Sequence, residues 1–156
     1  MTSMLQSFWT GALRPLLQRP PALQIGALCH RARTSGPEVL LITSSRGRWI
    51  LPKGWPIDGL TAAQAAQQEA WEEAGVKSGT VSDGAFGSYL SEKRFDNGAV
   101  VPCETQVYPI AVTEMTDAFP EAGRRTRKWV TPAKAAKMVD DQGLSQLLLS
   151  FGADCT

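Results

Sequence analysis

The stretch from Gly54 to Val76, GWPIDGLTAAQAAQQEAWEEAGV, constrains what this chain can fold into more than any other segment. Its second half predicts a helix, with Thr61 as the N-cap and Gly75 as the left-handed residue just past the end. Ala62, Ala63, Ala66, Ala70 and Ala74 form a narrow stripe of small residues along it. Such a stripe lets a helix lie close against a sheet. Beside it stand three carboxylates. At about 100° per residue, Glu69, Glu72 and Glu73 share an arc of about 100° on the helix surface. Like charges this close repel, so the helix gains nothing from them on its own. A hard divalent cation such as Mg²⁺ or Mn²⁺ turns that repulsion into coordination, because it prefers carboxylate oxygen. The competing reading is a plain solvated acidic face.

The rest of the chain reads as strands around this helix. Leu23 to Cys29 and Val39 to Ser44 are strand-like runs, with a turn at Ser35-Gly36-Pro37 between them. Trp49 to Leu51 is a short strand, and Gly79 to Tyr89 and Thr105 to Thr113 supply two more. Asp96-Asn97-Gly98 predicts a hairpin turn between Phe95 and Val100. Lys128 to Val130 is extended, Pro132 opens a helix to about Val139, and a last helix covers Leu144 to Phe151.

Composition bounds the function. A chain of 156 residues, 43% hydrophobic and 20% charged, suits one compact domain. A net charge of +1 gives no global attraction to nucleic acid, so no nucleic-acid partner is expected. Cys29, Cys103 and Cys155 are odd in number and lack metal-ligand spacing, which predicts free thiols in a reducing, cytoplasmic setting. No run of 18 or more apolar residues occurs, so no transmembrane segment is expected. Residues 1–21 form an N-terminal extension with Leu5, Phe8, Trp9, Ala12, Leu13, Leu16 and Leu17 at helical spacing, interrupted by Pro15. No acidic residue precedes Glu38. A helix packed on the domain or on a second subunit, a membrane-surface helix and an organellar transit peptide all remain open for this extension.

The helix segment resembles the Nudix box, whose pattern is G, five residues, E, seven residues, then R-E-(apolar)-x-E-E-x-G-(apolar). Gly54, Glu69, Ala70, Glu72, Glu73, Gly75 and Val76 match at that spacing, while Leu60 stands for the first glutamate and Gln68 for the arginine. The resemblance implies an α/β fold, the Nudix-type α/β/α sandwich with a mixed sheet, over residues 22–156. It also implies a divalent-metal-dependent hydrolase of phosphoanhydride bonds, with Glu69, Glu72 and Glu73 catalytic and metal-binding and the Gly54 carbonyl as a further metal ligand. In the family the glutamate and arginine absent here pair with each other. Losing both strands neither charge but weakens the support of the ligands. A degenerate domain that binds a phosphorylated ligand or a protein partner is the alternative. Glu69 is the candidate general base, with Glu92, Glu104, Glu114 and Glu121 as further carboxylates.

Substrate recognition is expected from the cations and aromatics around the box. The run Ser44-Ser45-Arg46-Gly47-Arg48-Trp49 is similar to a stretch of the diphosphoinositol polyphosphate and dinucleoside polyphosphate hydrolase branch. The later Arg124-Arg125-Thr126-Arg127-Lys128-Trp129 run is similar to that branch too. Arginine forks grip phosphate oxygens in pairs. Arg31, Arg33, Ser45, Arg46, Arg48, Lys53 and Arg125 are therefore candidate substrate contacts, with Arg124 and Arg127 beside them, and Trp55 is a candidate stacking surface. The expected partner is a small phosphorylated substrate, and a homodimer is open.

Overall fold

The computed structural model describes residues 20–155. The amphipathic segment expected over residues 1–21 thus falls outside the described residues except for Pro20 and Pro21. Eight strands and three helices follow in the order β1 (Ala22–Arg33), β2 (Gly36–Thr43), β3 (Trp49–Ile50), β4 (Lys53–Gly54), α1 (Ala62–Ala74), β5 (Val76–Val81), β6 (Gly87–Arg94), β7 (Val100–Met115), β8 (Arg127–Val130), α2 (Pro132–Met138) and α3 (Gln142–Asp154), with a 3-10 turn at Ala122–Arg124 before β8.

All eight strands join one mixed sheet. Its main path is β3-β2-β1-β7-β5, with β4 on β1, β6 on β7 and β8 on β2. Strands β1 and β7 run parallel at the centre, and the other pairings are antiparallel. Alternation along the strands sorts side chains to two faces. Ile25, Ala27, Leu40, Ile42, Tyr108 and Ile110 pack against the alanines of α1. Leu28, Val39, Leu41 and Val107 meet Leu144, Leu147, Leu148 and Phe151 of α3 on the other face. Each large apolar side chain buried this way contributes about 1.5–3 kcal/mol. Helices on both faces of a mixed sheet make the expected α/β sandwich.

Several boundaries differ from the sequence reading for identifiable reasons. The run 79–89 is not one strand: β5 ends at Val81 and β6 begins at Gly87, because both pair with β7 at different registers. The first hairpin turns at residues 34–35, while Gly36 and Pro37 already pair with Arg33 and Ala32. Strand β4 has only two residues and exists because Lys53 and Gly54 pair with Gly26 and Ile25 of β1. The local signals hold. Thr61 accepts from the Gln64 N–H at 3.1 Å and donates its own N–H to the Gln64 side chain at 2.9 Å, closing a capping box. Gly75 takes φ 72°, as a left-handed helix stop requires. The Asp96-Asn97-Gly98 turn joins β6 to β7 as expected.

Candidate active site

The carboxylates reach the site because α1 lies flat on the sheet through Ala63, Ala66, Ala70 and Ala74, all buried. That contact turns Glu69 and Glu73 inward against the short strand β4. Gly54 in β4 has no Cβ, and any Cβ there would overlap the Glu69 carboxylate. The backbone N–H of Lys53 donates to Glu73 Oε1 at 3.1 Å. The C-terminal turn of α1 is closed from outside the helix. The Glu121 N–H donates to the Glu72 carbonyl at 3.0 Å, and Arg127 Nη1 donates to the Ala74 carbonyl at 3.0 Å. Docking of the 121–127 segment on that turn carries Arg125 into the site.

Arg125 is the best-connected cation there. Its Nη2 lies 3.1 Å from Glu73 Oε2 and 2.9 Å from Glu121 Oε1. Nε donates to Glu121 Oε1 at 3.1 Å, and Nη1 donates to the Thr43 carbonyl at 2.7 Å. Gln68, at the box position where the family pattern has arginine, instead donates from Nε2 to Glu72 Oε1 at 2.8 Å. Leu60, at the position of the family's first glutamate, is 41% exposed and makes no pair with it.

Glu69 stands apart from these ties. It is 9% exposed, lines the cleft, and makes no hydrogen bond or ion pair with any described residue. Burial, reinforced by the charges of Glu72 and Glu121 and opposed by that of Arg125, pushes its carboxyl up to about 7. Burial likewise pushes Glu73 up to about 7, against the opposing pull of Arg125 and of the Lys53 N–H. Two buried acids side by side, one of them without a hydrogen bond or ion pair, are what a hard cation relieves, so the donor set fits a divalent metal. Among the described residues no three acidic, histidine or cysteine side chains converge closely enough to enclose an ion as they stand.

Around this floor the cleft is basic and has a volume of about 380 Å³. Arg46 and Arg48 enter from the 44–48 turn, which Ser44 closes by accepting from the Arg46 and Arg48 N–H groups at 3.3 and 3.1 Å. Ser45, Lys53 and Trp55 line the same cleft, with Trp55 42% exposed and free to face a ligand. Burial lowers the Lys53 ammonium from its usual value.

The structure does not bring every expected cation here. Arg31 lies 2.8 Å from Glu38 and 4.2 Å over the Trp129 ring, and Arg33 lies 3.6 Å from Glu38, both at the far end of β1. Arg127 caps α1 and pairs with Asp117 at 2.6 Å. Of the further carboxylates, Glu92 lines the cleft from β6, Glu104 accepts from Ser88 and Glu114 from Ser78, and Glu121 joins the Arg125 cluster. Lys93, Arg94 and Gln24 line the cleft and were not anticipated. The charge run Glu92-Lys93-Arg94 ahead of a tight turn was visible, but only the sheet order puts β6 beside the site.

Comparison with known proteins bears on the family and the fold. The human protein named diphosphoinositol polyphosphate phosphohydrolase 3-alpha is 34% identical over 117 residues, 72% of this chain and 65% of its own length. Nudix hydrolase 16, mitochondrial, of Arabidopsis thaliana is 36% identical over 104 residues, 64% of this chain and 57% of its own length. This chain thus spans less than two thirds of the length of either relative. In fold it is similar to the crystal structure of the C. elegans Ap4A hydrolase, with TM-score 0.66 and 21% identity over 88% of this chain and 100% of that one. The family model for the NUDIX domain matches residues 21–149, from the start of β1 into α3, so this chain belongs to the NUDIX domain family.

Proposed function

We propose that this chain is a divalent-metal-dependent hydrolase of phosphoanhydride bonds, acting on a diphosphoinositol polyphosphate, a dinucleoside polyphosphate or another nucleoside diphosphate derivative. The observation that carries this reading is Glu69: a buried acid without a hydrogen bond or ion pair, in a cleft whose charged lining residues are mostly cations. Glu69, Glu72, Glu73 and the Gly54 carbonyl would hold Mg²⁺ or Mn²⁺. Such an ion neutralises phosphate oxygens and lowers the pKa of a bound water.

The chain's own residues supply the rest. Arg46, Arg48, Lys53, Lys93 and Arg94 give five positive charges along the cleft walls to orient a polyanionic substrate. The Ser45 hydroxyl adds a neutral donor, and the Trp55 ring offers a flat face to a base or ring. A carboxylate poised near neutrality is matched to accepting a proton, and the Glu69 carboxylate oxygens are the candidates for that role. The names of the human relative and of the C. elegans structure support the substrate classes, and the basic walls support a polyphosphate over a singly charged ligand.

The test is phosphate release in Mg²⁺ and Mn²⁺ from diphosphoinositol polyphosphates, dinucleoside polyphosphates, nucleoside triphosphates and nucleotide sugars, with Glu73→Gln as control. Turnover that disappears in the control supports the reading and ranks the substrates. Silence from a folded protein favours the second reading, a domain that binds a phosphorylated ligand or a protein without turning it over. Both Glu73 oxygens are already engaged and Leu60 and Gln68 replace charged box residues, which favours that reading.

Among the described residues no helix is long and apolar enough to cross a membrane. The Arabidopsis relative's name includes the word mitochondrial. An organellar or membrane-surface address through residues 1–20 is a proposal beside the cytoplasmic one, and imaging a fusion with and without that segment tests it.

A further inference from the structure

The box helix carries no arginine, yet one of its carboxylates is held by one. Arg125 approaches Glu73 from a segment that is remote in sequence, and its guanidinium is fixed from three directions: by the Glu73 carboxylate, by Glu121 and by the Thr43 carbonyl at the end of β2. Side-chain exposures of 14% for Arg125, 11% for Glu73 and 19% for Glu121 put this group away from bulk water, where charge-assisted bonds are least screened. At box position 68 a neutral amide holds only Glu72. The supports of the two glutamates therefore come from different parts of the chain.

We infer that Arg125, locked in place by Glu121, is the positioning residue that aims the Glu73 carboxylate into the cleft, doing from the 121–127 segment what residues 60 and 68 are not equipped to do. The inference rests on the metal reading proposed above. With Nε, Nη1 and Nη2 all engaged by protein oxygens, Arg125 has at most one N–H left for a phosphate, so its role is distinct from that of Arg46 or Arg48. Lysine is not equivalent here. An ammonium is a single point, whereas Thr43, Glu121 and Glu73 are met by the fixed fork of a guanidinium.

Charge and geometry make opposite predictions, which is what makes the idea testable. By charge alone, removing a cation beside a metal site tightens metal binding. If orientation dominates, losing Arg125 weakens it by about 10–100-fold, the usual effect of removing a group that holds a ligand. The experiment is an electron paramagnetic resonance titration of Mn²⁺ into the full chain, comparing wild type, Arg125→Gln and Arg125→Lys, with circular dichroism as the check on folding. Weakened Mn²⁺ binding in both variants, with kcat reduced more than KM is raised, is the expected result. Unchanged or tighter binding in Arg125→Gln overturns the inference, as does a rise in KM alone, which would identify a phosphate contact. Should Arg125→Gln not fold, Arg125→Lys decides on the same criterion, since it keeps the charge and loses the fork. Failure of the wild-type chain to bind Mn²⁺ removes the metal reading itself and this inference with it, an outcome distinct from equal affinities in wild type and variant.

Discussion

Gly54 and Glu69 approach so closely that a methyl group on Gly54 would occupy the space of the Glu69 carboxylate. The pair joins a two-residue strand to the centre of the box helix, and it explains why a glycine is needed where φ is ordinary. Because the obstructing atoms are the free end of a flexible side chain, Gly54→Ala is expected to fold, with Glu69 swinging out of the cleft. Thermal denaturation should show a small change, while Mn²⁺ affinity and turnover fall by about 10–100-fold. A variant with wild-type metal affinity would show that the approach has no functional consequence.

Stability should depend on pH in a direction set by Glu69 and Glu73. Both are held at about 7, above the 4.5 of a free glutamate, so the folded chain binds protons more tightly than the unfolded one. The metal-free protein is then most stable with these groups protonated and loses stability as pH rises from about 4.5 through 7. With the two groups coupled and partly solvated, the loss between about pH 5 and pH 8 is expected to be about 1–3 kcal/mol. Urea denaturation across that range measures it, and Glu69→Gln should remove much of the slope. A flat profile would contradict the burial of these acids, and added Mg²⁺ should flatten the profile only if it binds here.

The helix start should separate stability from chemistry. Thr61 lies two turns before Glu69, and its hydroxyl satisfies an otherwise orphaned N–H. Thr61→Ala should reduce unfolding free energy by about 1 kcal/mol. Its kcat should stay near wild type, because the alanine stripe rather than the cap holds the carboxylates on the sheet.

The cations of the cleft should differ from those at the far end of β1. Lys93→Ala or Arg94→Ala is expected to raise KM for a highly phosphorylated substrate several-fold, and more at low than at high salt. Arg31→Ala should leave KM unchanged and reduce stability by up to about 1 kcal/mol, as for a partly exposed ion pair. Comparing KM values for long and short polyphosphates checks both. Equal effects from both ends of β1 would mean the substrate extends well beyond the cleft.

What was legible in the sequence was local. The cap at Thr61, the stop at Gly75, the turn at Asp96-Asn97-Gly98 and the start of α2 at Pro132 each follow from a few neighbouring residues. The three glutamates share a helix face because of helical periodicity alone. Less legible were the ends of extended runs. Strand β4 has two residues and no pattern of its own, and the break between β5 and β6 follows from where each pairs with β7.

By itself, then, the sequence determined the carboxylate helix, its ends and its family, because those depend on spacing within a few turns. Only the tertiary structure decided which of many similar arginines serves the site. Arg31 and Arg46 read alike in the chain, but β1 carries the first away from the cleft and the turn after β2 carries the second into it. Arg125 reaches Thr43 across 82 residues of sequence, and Lys93 arrives because β6 pairs with β7, which in turn pairs with β1. No local propensity encodes such meetings: they arise when hydrophobic faces on both sides of one sheet are buried together, and the charged side chains at the strand ends are placed as a consequence.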